Sequence, residues 1–199
     1  FEDDANLKDL YKTTQDQLSW QNNVALPRGS ITLLYDFLKQ RIKTTDVYEK
    51  TQRTNHGVMV GYSLIEDKHN FQTNFRKDFN SAYDDAITGN IGYAYSINSN
   101  WTVSSSYGTA FVSPSFNFLY SLSSPWAFGN PNLKPEKGWS SELGFKQLVK
   151  LGSSWKGFFD VAAFINEYSN MTEFTFGIYN PLTGESLSSN GILDTEAYN

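Results

Sequence analysis

The sequence predicts an all-β chain of antiparallel, up-and-down strands that forms part of a transmembrane β-barrel wall. Three observations carry that reading. Aromatic residues make up 16% of the 199-residue chain, yet mean hydropathy is −0.47. Apolar and polar residues alternate with period two in eight successive runs. The connections between these runs alternate short and long. A soluble domain so rich in rings ordinarily carries more Leu, Ile and Val beside them. A barrel wall places one residue in two against lipid and its neighbour against a wet lumen, which accommodates both counts.

The composition narrows the chemistry. The chain has no cysteine, which removes disulfides, thiolate metal sites and cysteine nucleophiles. A net charge of −5 with scattered Lys and Arg gives no basic face for nucleic acid. No apolar run approaches the ~18 residues of a spanning helix, and no signal peptide is visible. The chain opens at Phe1 and stops at Asn199 in a polar stretch. The expectation is an internal segment, residues 1–199, of one barrel domain with no second domain.

The strands follow in order. Leu18, Trp20, Val24 and Leu26 alternate with Gln17, Ser19, Gln21 and Asn23 over 16–26. Ile31, Leu33, Tyr35 and Phe37 oppose Thr32 and Asp36, with Leu34 and Leu38 off pattern. Val58, Val60, Tyr62 and Leu64 form the third run, and Phe71, Thr73 and Phe75 the fourth. Ile91, Tyr93, Tyr95 and Ile97 alternate with Gly92, Ala94 and Ser96; Trp101, Val103, Tyr107 and Phe111 alternate with Thr102, Ser104, Ser106 and Gly108. Trp139, Leu143 and Phe145 face away from Ser140, Glu142 and Lys146. Trp155, Phe159, Val161, Ala163 and Ile165 oppose Lys156 and Asp160, with Phe158 and Phe164 on the polar side. Most runs approach the ~9–11 residues of a tilted membrane-crossing strand, against ~5–6 in soluble sheets.

The connections set the threading. Residues 27–29, 65–69, 98–100 and 148–154 are the shorter links; 43–54, 78–87, 112–137 and 176–190 are the longer ones. Membrane barrels keep short turns on the periplasmic side and long loops outside. Trp101 and Trp155 then open strands that rise from the periplasmic side, and Trp139 opens one that descends, so tryptophan stands at both interfaces.

The residues at 107–145 carry a family likeness. Tyr107 to Phe111, Ser113 to Asn117 and Leu119-Tyr120 are followed by Gly129-Asn130-Pro131-Asn132-Leu133-Lys134-Pro135-Glu136-Lys137, then Trp139 to Phe145. This resembles the end of a rising strand and the loop-to-strand signature of TonB-dependent receptors. The Phe-Asn-x-Leu-Tyr stretch is most similar to the cobalamin (vitamin B12) receptors, and siderophore receptors share much of it. The resemblance implies about eight strands of a 22-stranded barrel, with the plug domain and the later strands outside this sequence. It also implies import of a scarce, bulky nutrient, cobalamin or a metal chelate, across the outer membrane, with TonB engaged through the missing plug. The signature has a reading without ligand as well. Pro131 and Pro135 fix φ and extend the residues before them, so the loop returns stiffly and sets the next strand's register.

No catalytic constellation, nucleophile elbow or phosphate loop is present, so no enzyme activity and no catalytic residues are expected. His56 and His69 stand at opposite ends of one strand and read as polar strand-end residues. Asp84-Asp85 and Glu2-Asp3-Asp4 are weak calcium candidates, since adjacent carboxylates lack a spaced third ligand. No other cofactor is expected. The ligand-contact candidates are the rings of the longest loop: Phe116, Phe118, Tyr120, Trp126 and Phe128. Five rings in an aqueous loop must bury against the mouth, the plug or a ligand. The rival readings are a siderophore receptor, a small stand-alone pore or adhesin barrel of eight strands, a soluble sugar-binding sandwich and an outer-membrane enzyme.

Overall fold

The computed structural model describes residues 10–122, 129–152 and 155–172. Eight strands form one antiparallel sheet in chain order: β1 (Tyr11–Ala25), β2 (Ser30–Thr44), β3 (Gln52–Glu66), β4 (His69–Asn80), β5 (Ala86–Ser96), β6 (Trp101–Val112), β7 (Glu136–Leu151) and β8 (Trp155–Ser169). They run from 11 to 16 residues, longer than the apolar alternation alone marks out. The extra length lies mostly at the loop ends, where polar residues such as Gln52 and Arg53 continue the ladder. Ladder hydrogen bonds there do not need an apolar face.

The parity of the connections holds. The links after β1, β3, β5 and β7 are short in sequence, at 26–29, 67–68, 97–100 and 152–154; those after β2, β4 and β6 are longer, at 45–51, 81–85 and 113–135. The long link at 176–190 lies outside the described residues. The tight turns have the residues their geometry needs. Gly29 sits at φ 80, and a Cβ there would lie 2.2 Å from the Ser63 carbonyl oxygen. Asp67 adopts φ 50 in the two-residue β3–β4 turn, a conformation its short polar side chain tolerates. In the β5–β6 turn the Asn98 side chain accepts from the amides of Asn100 and Trp101.

Residues directly opposite in an antiparallel pair share a face. One face therefore carries Leu18, Phe37 and His56; Trp20, Tyr35 and Val58; Leu33, Val60 and Phe75; and Tyr95, Val103, Phe145 and Val161. Many of these side chains are exposed, as an outward face toward lipid requires. The opposite face carries Thr32, Gly61, Asn74, Asn90, Gly108, Ser140 and Asn166 in one continuous cross-strand row. Leu34, Leu38, Phe158 and Phe164 fall on this polar face, as their positions off the pattern imply. Trp101 and Trp155 open β6 and β8 at the short-turn end, while Trp139 lies near the start of β7 at the long-loop end. The Trp139 indole N–H donates to Glu167 at 3.2 Å.

The lumen face holds an ionic latch across four strands. Asp36, Gly57 and Asp78 are direct partners in β2, β3 and β4. From β4, Arg76 donates to Asp78 at 2.7 Å through both Nε and Nη2, and to Asp36 at 2.8 Å. Ser19 on β1 donates to Asp36, and Asn55 donates to Asp78 at 2.9 Å. The guanidinium reaches Asp36 by lying across Gly57, where a Cβ would stand 1.9 Å from Nη2. Glycine is needed here because another side chain passes over its backbone. Asp78 is 3% exposed, a carboxylate that stays buried because it is paired.

Candidate ligand-binding surface

The third long loop contains a helix where the sequence predicts plain loop. It is α1 (Phe116–Tyr120), and the Ser115 side chain caps it by accepting from the Phe118 amide at 3.2 Å. Five residues give no helical stripe, so only the Ser-Pro-Ser start could have signalled it.

The helix is held by its neighbours. Phe116, Leu119 and Tyr120 are buried with Ile42 of β2 and Leu133, and Tyr48, Ala82, Tyr83 and Phe118 pack around them. Ile42 has lumen parity, so α1 folds over the inner side of the rim. The 45–51 loop pairs with the helix end through Glu49 N–H to Tyr120 O at 2.9 Å and Leu122 N–H to Val47 O at 2.9 Å. Tyr48 donates to Asn117 at 2.7 Å, and Tyr120 donates to the Ala82 carbonyl at 3.2 Å. Three loops are thus joined in one packed unit.

Arg53 is the polar anchor of this unit. Its Nε donates to Gln40 at 2.7 Å and its Nη1 to the Pro114 carbonyl at 2.6 Å. The guanidinium lies 4.7 Å from the Phe116 ring centre and 5.7 Å from that of Tyr83. Burial pushes the Tyr83 phenol above its ordinary pKa, while Arg53 pulls it back. Tyr48 is also raised, chiefly by burial. Both rings therefore stay neutral at physiological pH.

The Gly129–Lys137 signature builds the return path. Gly129 passes against the end of α1, donating to Ser121 O at 2.8 Å, and Asn130 N–H reaches Phe118 O at 2.6 Å. A Cβ on Gly129 would lie 2.5 to 2.7 Å from backbone atoms of residues 119–121. Asn130 accepts from the Asn132 amide at 2.9 Å, Leu133 enters the core at 3% exposure, and Pro135 is fully buried. Beyond it, the Glu136 carboxylate accepts from the Thr172 amide at 3.0 Å, and Lys137 is already in the β7 ladder. These contacts give the signature a structural role. Gly129→Val is expected to force α1 off its seat and expose the loop to protease, while the barrel's heat resistance stays unchanged. Limited proteolysis of the intact protein in detergent checks it.

Of the candidate contact rings, Phe116 and Tyr120 are packed inside the unit and Phe118 is half-buried. Trp126 and Phe128 lie outside the described residues. The exposed shell around them offers Val47, Lys50 and Leu122, with the Lys50 ammonium 5.2 Å from the Tyr120 ring centre. These are not legible in the sequence, because a single exposed side chain in a loop carries no pattern. Asp85 lies 3.6 Å from Lys77, and no group of three His, Cys, Asp or Glu converges among the described residues. Glu2, Asp3 and Asp4 lie outside them. His56 and His69 each hydrogen-bond a tyrosine on the outward face, Tyr35 at 2.9 Å and Tyr93 at 2.6 Å.

Comparison with known proteins decides the family. The model described as TonB dependent receptor-like, beta-barrel matches residues 2–192. The chain belongs to the TonB-dependent receptors, a family of outer-membrane proteins. Relatives of this receptor segment include the vitamin B12 transporter BtuB of Vibrio vulnificus, 28% identical over 167 residues that cover 81% of this chain and 26% of the relative. BtuB of Photobacterium profundum is 30% identical over 142 residues, 70% of this chain and 23% of the relative. The segment thus spans about a quarter of the length of the curated relatives it matches. Among solved structures, the siderophore receptor PirA of Pseudomonas aeruginosa superposes with a TM-score of 0.70 at 16% identity, covering 94% of this chain and 34% of that one. A ferric enterobactin receptor (PfeA) variant from the same organism gives 0.66 at 13%, covering 94% and 31%. The fold is therefore an all-β, partial TonB-dependent receptor barrel.

Proposed function

We propose that this segment forms part of an outer-membrane active transporter that imports cobalamin, with energy delivered by TonB through a plug domain. The transport class rests on the family match. The finer choice rests on the two BtuB relatives, which align through most of this chain. A ferric-siderophore ligand is the second reading, favoured by the siderophore receptors that share the fold.

The packed three-loop unit supports ligand capture at the mouth. It presents a pre-ordered surface on the lumen side of the rim, so little conformational entropy is lost when a large ligand docks. Phe116 and Tyr120 hold that surface, and the half-buried Phe118 lies at its edge. Flat rings give contact area at low side-chain entropy. We expect the complete protein to bind cyanocobalamin, and Phe118→Ala with Trp126→Ala to weaken that binding at least tenfold, or ~1.4 kcal/mol. Titration calorimetry against cyanocobalamin and a ferric siderophore checks both points. Binding of the siderophore alone replaces the cobalamin reading, and unchanged affinity in the double variant assigns these rings to packing.

A further inference from the structure

We propose that the outward face of β1 and β2, just beyond the apolar band, binds the phosphorylated headgroup of an outer-leaflet glycolipid. The proposal rests on the membrane orientation given above. Along β2 the outward positions read Ile31, Leu33, Tyr35 and Phe37, then Lys39, Arg41 and Lys43. Four apolar residues are followed without interruption by three cations, at the end of the strand that carries the long loops. On β1, Lys12 lies directly opposite Lys43 on the same face.

The patch holds few acids. Asp16 pairs with Arg41 across the two strands. Among the described residues no acid pairs with Lys12, Lys39 or Lys43, so four cations face one carboxylate. Like charges directly opposite in a sheet are destabilising unless an anion lies between them. Lys150 and Lys156 form another facing pair, but on the lumen face beside a short turn, where water screens them. The β1–β2 patch borders lipid instead. Its long side chains can lay their methylenes on the Phe37 and Leu18 rim and direct their charges outward. A guanidinium and three ammonium groups at the upper limit of an apolar band match a headgroup carrying more than one phosphate.

The inner side of the same strands differs in character. There one cation, Arg76, pairs with two carboxylates, Asp36 and Asp78, and Ile42 packs beneath α1. The excess of cations is therefore on the lipid-facing side of β1 and β2 and not on their inner side.

The test uses the complete protein in detergent and bisphosphorylated lipid A as the probe, with binding followed by fluorescence titration at low and high salt. The variant Lys39→Gln, Arg41→Gln, Lys43→Gln should lose at least tenfold in affinity, and most of the salt dependence should go with it. Lys146→Gln with Lys150→Gln, on the lumen face, should bind like wild type. Heat-modified gel mobility verifies that each barrel is folded; if the triple variant fails it, Lys12→Gln with Lys43→Gln is used in the same assay. Unchanged affinity in a folded variant overturns the proposal, as does equal binding of dephosphorylated lipid A. Competition by inorganic phosphate at the lipid's own concentration reduces the patch to a free-anion site and also overturns it. Cyanocobalamin affinity in the triple variant should equal wild type, so a failed lipid result and a failed transport reading remain separate.

Discussion

Val103→Arg in the complete barrel is expected to cost ~1–2 kcal/mol, between the midplane and interfacial values, and Ser104→Arg much less. The two residues are neighbours on β6 and differ in face. Val103 lies between Tyr95 and Phe145 on the outward side, two residues into the apolar band from Trp101 at the short-turn end. An arginine there has to neutralise its charge in hydrocarbon or stretch to an interface. Ser104 lies between Ala94 and Gly144 on the lumen side, where small neighbours leave room for a long side chain in water. Denaturant unfolding from detergent micelles, with both variants measured beside wild type, checks the pair. Equal costs, or the reverse order, mean that the faces are exchanged.

Gly57→Val should cost roughly 3 kcal/mol, the lower end of what breaking a buried ion pair costs. The lower end applies because a quarter of the Arg76 side chain remains exposed. The added Cβ occupies the place of the Arg76 guanidinium, so the cation must leave Asp36, Asp78 or both. Asp78 is then a buried carboxylate held only by Asn55. The matched control is Gly61→Ala on the same strand and face, where the nearest atom to a new Cβ is 3.5 Å away. That change should be neutral or slightly stabilising, since glycine is a poor strand residue. If both substitutions cost the same, the effect comes from the strand backbone and the latch has no special part in it.

The sequence showed the wall far better than the site. Period-two runs such as Ile31 to Phe37 identify a strand and its lipid-facing side together, because lipid and water impose opposite demands on adjacent residues. The short and long connections gave the threading for the same reason: turn length is written directly in residue count. Strand ends were less legible, since Gln52 and Arg53 extend β3 through hydrogen bonds that any residue can make. The latch was not legible at all. It depends on Gly57, Asp36, Arg76 and Asp78 meeting across three strands, and no local spacing announces such a row. The loop rings were visible as aromatics, but their division was not. Phe116 and Tyr120 point inward because Ser115 starts a helix turn, which places residues four apart on one side.

Substrate choice sits at the other end of legibility. The Phe116-Asn117-Phe118-Leu119-Tyr120 stretch, on which the sequence suggests cobalamin, is a packed helix in this fold. Its sequence is therefore constrained by the loop core as well as by any ligand. The BtuB relatives, at 28% and 30% identity, align over 81% and 70% of this segment, far more than that helix.

The central claim is that this chain is a membrane wall whose alternate residues face lipid and water. This segment has no cysteine, so with any cysteine elsewhere in the complete protein replaced by serine, single cysteines introduced along β6 report cleanly at each position. We would place them in turn at residues 102 to 108 of the complete protein in native outer membranes. Each would then be reacted with a small, water-soluble maleimide. The account predicts that positions 104, 106 and 108 label readily, whereas 103, 105 and 107 resist until detergent is added. Uniform labelling along the strand, or protection that does not alternate residue by residue, contradicts it.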